Sequence, residues 1–118
     1  MCSGDGLAAF ALTEAQAGSD ASAIQCRAEP SGGGYVLNGT KQWITNGGEA
    51  SVYVVIALTD PRRGVRGASA FIVPDGAEGL SFGKKERKLG IRCSATRELV
   101  FQDCFVPAGA RLGREGQG

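Results

Sequence analysis

Nineteen glycines and four prolines run through this chain and cut its apolar residues into short stretches. That punctuation suits short strands joined by turns and leaves little room for helices. No window carries apolar residues at the 3.6-residue spacing of an amphipathic helix. The expected fold is therefore all-β, a small antiparallel barrel of about six to eight short strands.

The runs can be placed in order. Phe10 to Thr13 reads as a short strand, and Ile24 to Ala28 as a second candidate. The "SGGG" of Ser31 to Gly34 is a turn in which glycine can take positive φ. Tyr35 to Leu37 follows as a strand. Asn38-Gly39 is the strongest short hairpin signal in the chain, so Lys41 to Thr45 is expected to pair back across it. Asn46-Gly47-Gly48 makes the next turn. Ser51 to Thr59, "SVYVVIALT", is the longest apolar run and is expected to be central. After the basic loop Asp60 to Gly67, Ala68 to Pro74 is a strand, Leu80 to Lys85 alternates weakly, and Arg97 to Pro107 is a long strand. Leu99, Phe101 and Phe105 are expected on one of its faces.

With 118 residues the chain has the length of one domain and can bury a modest core. Thirteen basic and twelve acidic side chains nearly cancel, which argues against nucleic acid as a main partner. No apolar run approaches a membrane span, and the N-terminus lacks the pattern of a signal peptide. Histidine is absent, which removes the Ser-His-Asp triad, the Cys-His pair and every His-containing zinc site. Cys2, Cys26, Cys93 and Cys104 form no C-x-x-C, and free thiols in a reducing cytoplasm are expected. The closing "LGREGQG" reads as a domain excised from a longer protein.

Three stretches could carry chemistry. In "FALTEAQAGSD", Phe10 to Asp20, alternation stops after the strand, and Ala17, Gly18, Ser19 and Asp20 are too small or polar for a core. Small residues let backbone N–H groups approach a ligand, and Thr13 and Ser19 add hydroxyls. A tight turn capped by Asp and Ser accounts for the same residues. "KQWITNG", Lys41 to Gly47, holds the single tryptophan. Trp43 is either a core anchor or, among polar neighbours, a surface for a planar aromatic ligand. "KLGIRCSATREL", Lys88 to Leu99, is a surface loop or a loop at a ligand mouth. The arginines at 62, 63 and 66 could meet phosphates or simply face water. "GREGQG" lacks the strand before it and the helix after it that a dinucleotide motif requires. No self-sufficient acid/base pair is visible.

Together these pieces resemble the middle β-domain of the acyl-CoA dehydrogenase flavoproteins. "ALTEAQAGSD" is similar to the family's A-x-T-E-P-x-A-G-S-D, and "LNGTKQWITNG" to its L-N-G-x-K-x-W-I-T-N-G. "ASAFIVP", "KLGIRCSATREL" and "VFQDCFVPAGARLGREGQG" follow in the family's order, so the resemblance covers nearly the whole chain. Ala15 and Gln16 stand where the family often has proline and glycine, and Phe10 replaces a common tyrosine.

The resemblance implies that residues 1–118 are a single middle domain whose parent adds helical domains on both sides. It implies FAD as cofactor, contacted by Phe10, Leu12, Thr13 and Ser19 from the first segment and by Trp43, Ile44 and Thr45 from the second. Trp43 is expected beside the isoalloxazine, Thr45 near its N5 edge and Thr13 near its pyrimidine end. Ser19 is expected also to reach the acyl-CoA, and Arg66 to lie near the CoA nucleotide. The parent reaction implied is α,β-dehydrogenation of an acyl thioester, with a base removing the α-proton and the β-hydrogen leaving as hydride. In many members that base is a glutamate of the C-terminal bundle. Glu14 is not it, so no catalytic residue is expected in this chain and the isolated chain is expected to be inactive. A cytoplasmic homotetramer passing electrons to electron-transfer flavoprotein is the implied parent. An acyl-CoA oxidase that uses oxygen, and a cofactor-free β-barrel interaction module, are the competing readings.

Overall fold

The computed structural model describes residues 3–118. Eight strands form one sheet: β1 (Ala8–Ala11), β2 (Arg27–Ser31), β3 (Gly34–Thr45), β4 (Val52–Leu58), β5 (Ala68–Pro74), β6 (Leu80–Phe82), β7 (Thr96–Pro107) and β8 (Arg111–Leu112). Between them lie only three short 3-10 segments, Ala21–Ala23, Pro61–Gly67 and Ala108–Ala110. The all-β expectation holds. Among the described residues no helix is long and apolar enough to cross a membrane.

The sheet runs in the order β6-β7-β3-β2-β4-β5-β8, with β1 added alongside β4. Its ends are not joined by hydrogen bonds, so the barrel is an open one. Most pairs are antiparallel, but β1 runs parallel to β4, and β2 meets β4 in a parallel bridge at Arg27 and Leu58. Curling brings distant strands together over one core. The Tyr35 and Phe71 rings of β3 and β5 meet edge-on at 5.0 Å between centroids, and Tyr53 of β4 lies 5.6 Å from Phe82 of β6. Alternation along β4 sends Tyr53, Val55 and Ala57 into this core, with Leu37, Phe71, Leu99 and Phe101 around them.

The opposite face of β4 is apolar as well. Ile56 and Leu58 form a second cluster with Ala17, Ile24, Ala68 and Ala70. The segment from Leu12 to Ile24 lies over the outside of the sheet to make it. Ala17 is therefore a packed residue at 1% exposure, contrary to the expectation that this stretch is too small for a core. Its methyl group fits because the cluster is built of alanines on the β5 side. Ile24 belongs to this cluster too, so the second strand begins later, at Arg27, rather than at Ile24.

Asn38-Gly39 does not turn the chain. β3 continues through both residues and pairs with β7 on either side. The β2–β3 hairpin turns instead at Gly32-Gly33, with φ of 54° and 85°, between the paired residues Ser31 and Gly34. Consecutive positive φ values are what a tight, right-twisted hairpin needs, and the two glycines supply them. At Gly39 the backbone passes so close to Cys26 that an added Cβ would lie 2.8 Å from its Cα. Glycine serves strand crossing there, not turning.

The β3–β7 ladder contains two bulges. Leu37 pairs with Cys104 and Gly39 with Phe101, which sets Gln102 and Asp103 of β7 against Asn38 alone. Lys41 pairs with Leu99 and Ile44 with Arg97, which sets Gln42 and Trp43 of β3 against Glu98 alone. The first bulge reverses the alternation of β7 beyond it. Cys104 and Val106 point inward while Phe105 is 49% exposed, so Phe105 does not share a face with Leu99 and Phe101 as expected.

Candidate functional site

Two segments that alternation alone leaves unexplained are neighbours in space. β1 ends at Ala11, and the next residues cross toward β3, where the Thr13 carbonyl accepts a 2.8 Å bond from the Gln42 N–H. Asn46, just past β3, donates its side-chain amide to the Ala8 carbonyl at 3.2 Å. The Phe10–Asp20 stretch is thus tied to Gln42, and β1, which leads into it, to Asn46 at the other end of the "KQWITNG" segment.

The loop itself is closed by mutual 3.0 Å bonds between the backbones of Glu14 and Ala17. Gln16 adds a 2.7 Å bond from Nε2 to Glu14 Oε2. Two backbone bonds and one side-chain bond thus hold the turn in the place where the family often uses proline and glycine. Further on, Asp20 Oδ1 accepts the Ser22 N–H and caps the short Ala21–Ala23 segment. That segment packs against Pro61–Gly67, the turn that carries Arg62, Arg63 and Arg66.

At the centre lies a buried ion pair that the sequence reading did not find. Lys41 Nζ is 2.7 Å from Glu14 Oε1, with side-chain exposures of 0% and 4%. Lys41 also donates to the Leu12 carbonyl at 3.0 Å. Glu14 further accepts the N–H groups of Gln25 at 2.7 Å and Cys26 at 3.0 Å. Burial pushes the Glu14 carboxyl up, but the Lys41 bond and the two backbone N–H groups outweigh it, and the net shift is downward. The carboxylate is therefore charged and fully committed, which suits a structural role and not a proton-transfer one. Beside it, burial raises the Cys26 thiol to about 11. Cys26 and Cys104 are buried free thiols and Cys93 is an exposed one, while Cys2 lies outside the described residues.

Trp43 is the outlier of this region. It sits in the bulge at φ 54°, a conformation that a bulky residue adopts only under strain. Its side chain is 59% exposed, which disposes of the core-anchor reading. On either side Lys41 and Ile44 are buried, so the bulge turns the indole outward between two anchored neighbours. With Gln42, Lys84, Glu86 and Glu98 it lines an open hollow of about 480 Å³. A larger hollow of about 600 Å³ lies among Glu86, Arg87, Lys88, Leu89 and Arg92, at the start of the Lys88–Leu99 stretch and away from the residues expected to contact FAD or acyl-CoA. It is formed by a protruding surface loop, with Leu89 98% exposed.

The other candidates are distributed as follows. Phe10 is 59% exposed and stands on the outer face opposite Val54, which itself pairs with Ile72. Leu12 packs against the second cluster. Thr13 is half-buried, Ser19 and Thr45 are exposed, and Arg66 is exposed on its turn. Ile44 points into the main core and is 3% exposed, with its carbonyl accepting the Gly47 N–H at 3.1 Å. The closing "GREGQG" lies back on β5, with the Gly116 N–H on Ser69 Oγ and the Gly118 N–H on the Ala68 carbonyl, both at 2.9 Å.

An open β-domain that presents an exposed tryptophan beside a tied loop of small residues agrees with comparison to known proteins. The family described as "Acyl-CoA dehydrogenase, middle domain" matches residues 9–104. Acryloyl-CoA reductase (NADH) of Anaerotignum propionicum is 52% identical over 120 residues, covering all of this chain and 30% of that protein. The structure of butyryl-CoA dehydrogenase from Megasphaera elsdenii superposes with a TM-score of 0.93 at 53% identity, covering 96% of this chain and 30% of that one. An acyl-CoA dehydrogenase complexed with FAD from Bacillus anthracis gives a TM-score of 0.84 at 45% identity, covering 93% of this chain and 19% of that one. The chain belongs to the acyl-CoA dehydrogenase family, as its middle domain. It spans about 30% of the length of the curated relatives it matches.

Proposed function

We propose that this domain forms one wall of an FAD and acyl-CoA site in a flavoenzyme that dehydrogenates acyl thioesters between Cα and Cβ. The observation that carries the reading is Trp43, a bulky aromatic residue held at positive φ with its ring turned out of the sheet. Strain of this kind persists where the surrounding structure enforces it, and it clusters at ligand sites. The residues fit the cofactor. Trp43 offers a flat apolar surface to a planar ring system, and Thr13 and Thr45 offer hydroxyls to its polar edges. Phe10, Leu12 and Ile44 complete the set. When bound, FAD supplies the hydride acceptor.

For the acyl-CoA, exposed Ser19 offers a hydroxyl to the pantetheine and pyrophosphate. Arg66 offers a positive charge to the nucleotide phosphates from the turn packed next to Ala21–Ala23. Glu14 is charged, buried and fully bonded, which unsuits it as the base. The base is assigned to another part of the whole protein. We assign to that protein the family's helical domains on either side of this one, a homotetrameric assembly, a cytoplasmic location and electron-transfer flavoprotein as acceptor.

The test is the visible spectrum of the full-length protein, followed by anaerobic addition of acyl-CoA. A yellow protein that bleaches with acyl-CoA is the expected result, and repetition in air separates dehydrogenase from oxidase behaviour. A colourless protein that takes up no FAD overturns the reading and leaves an interaction module.

A further inference from the structure

We propose that the Lys41–Glu14 pair is a positioning clamp that fixes the spacing between the Thr13 loop and the Trp43 bulge, and thereby the shape of the flavin-facing surface. The inference rests on the FAD reading above and adds two residues that touch no ligand.

The geometry leads there. The stretch between Ala11 and Ala21 has no strand ladder to hold it; apolar packing of Leu12 and Ala17 seats it, and the Gln42 to Thr13 bond is its one backbone bond to β3. Lys41 joins it to β3 twice, through Glu14 Oε1 and the Leu12 carbonyl. Those contacts flank Thr13 on both sides. On the strand, Lys41 is two residues from Trp43 and is the last paired residue before the bulge. Glu14 extends the tie to Gln25 and Cys26, so three chain segments meet on one carboxylate.

A buried ion pair gains little net stability over an apolar pair of equal volume, because desolvation offsets the Coulomb attraction. What it adds is direction, since each bond demands one geometry. A strained residue such as Trp43 needs such over-determination. Apolar packing at 14 and 41 would hold the two segments together without fixing their register.

The experiment uses the full-length protein and separates stability from shape. Glu14→Leu/Lys41→Met replaces the pair by apolar side chains, and Glu14→Gln weakens it with little change of volume. Thermal melting, FAD dissociation constant, the visible spectrum of bound flavin and hydrogen exchange at the Gln42 amide are measured for each. The clamp predicts a double variant that melts within a few degrees of the parent, yet binds FAD at least tenfold more weakly, with an altered flavin spectrum and faster Gln42 exchange. If the double variant does not fold, Glu14→Gln must show the same loss of FAD affinity and faster Gln42 exchange. Folded variants with parental FAD affinity and spectrum overturn the clamp while leaving the FAD reading intact. An unaltered protein that binds no FAD overturns both.

Discussion

The two bulges of the β3–β7 ladder are built alike and differ in what surrounds them. Each has two residues facing one, and each holds a single non-glycine residue at positive φ, Asp103 at 50° and Trp43 at 54°. At the first bulge the anomaly is satisfied from within. Asn38 Oδ1 accepts the Asp103 N–H at 2.8 Å, and Asn38 Nδ2 donates to Asp103 Oδ1 at 3.1 Å. Aspartate is also among the residues that tolerate this conformation. At the second bulge the residue is a tryptophan, the ring is exposed, and the restraint comes from Lys41, Ile44 and the Thr13 loop. A bulge that corrects the ladder carries its own hydrogen bonds. A bulge that presents a side chain borrows its support from elsewhere and leaves that side chain free.

The largest effect is expected where β3 crosses Cys26. In the full-length protein, Gly39→Ala places a methyl group 2.8 Å from the Cys26 backbone at φ 146° and is expected to destabilise by about 3 kcal/mol or more, read by urea unfolding. A change below about 1 kcal/mol would mean that the strands separate easily there. Acid is expected to act on the second bulge. The Glu14 carboxyl is lowered from its ordinary 4.5 in the folded state, so its contribution is fully present above that pH and is lost as pH falls through the folded value. Comparing unfolding of the parent and Glu14→Gln from neutral to acid pH should show a steeper acid limb in the parent, and identical limbs would remove the linkage. Asn38→Ala deletes the two bonds to an exposed bulge. It is expected to destabilise by about 1 kcal/mol, with FAD affinity unchanged in a flavin titration. The smallest effect is chemical. Peptide mapping after brief thiol alkylation should find Cys93 labelled well before Cys26 or Cys104, which are buried with raised pKa values.

Much of this architecture could be read from local pattern. Ala68–Pro74 is found at its expected bounds because a run that is apolar but for Ser69 lies between turn residues on both sides. The Gly32-Gly33 turn was legible for a similar reason, since nothing but glycine suits it so well. Asn38-Gly39 misled because the same dipeptide serves a hairpin and a strand crossing, and the choice is made by β7, more than sixty residues away in the chain. Phe105 misled for the same cause, since a bulge at Asp103 shifts every later side chain to the other face. The exposed stretch around Trp43 was visible as polar residues flanking an aromatic one. Lys41 and Glu14 were not visible as partners. A buried cation looks like any surface lysine until its acceptor, twenty-seven positions away, is brought to it.

Whether the indole serves the flavin or the fold is decided by Trp43→Gly in the full-length protein, with thermal melting and FAD titration run side by side. Glycine accepts positive φ without strain and removes the ring. A Tm equal to or above the parent's when both are freed of FAD, with FAD affinity reduced at least tenfold, is the predicted result. A Tm that collapses while flavin content stays unchanged would show that the ring serves the fold, and would contradict the account.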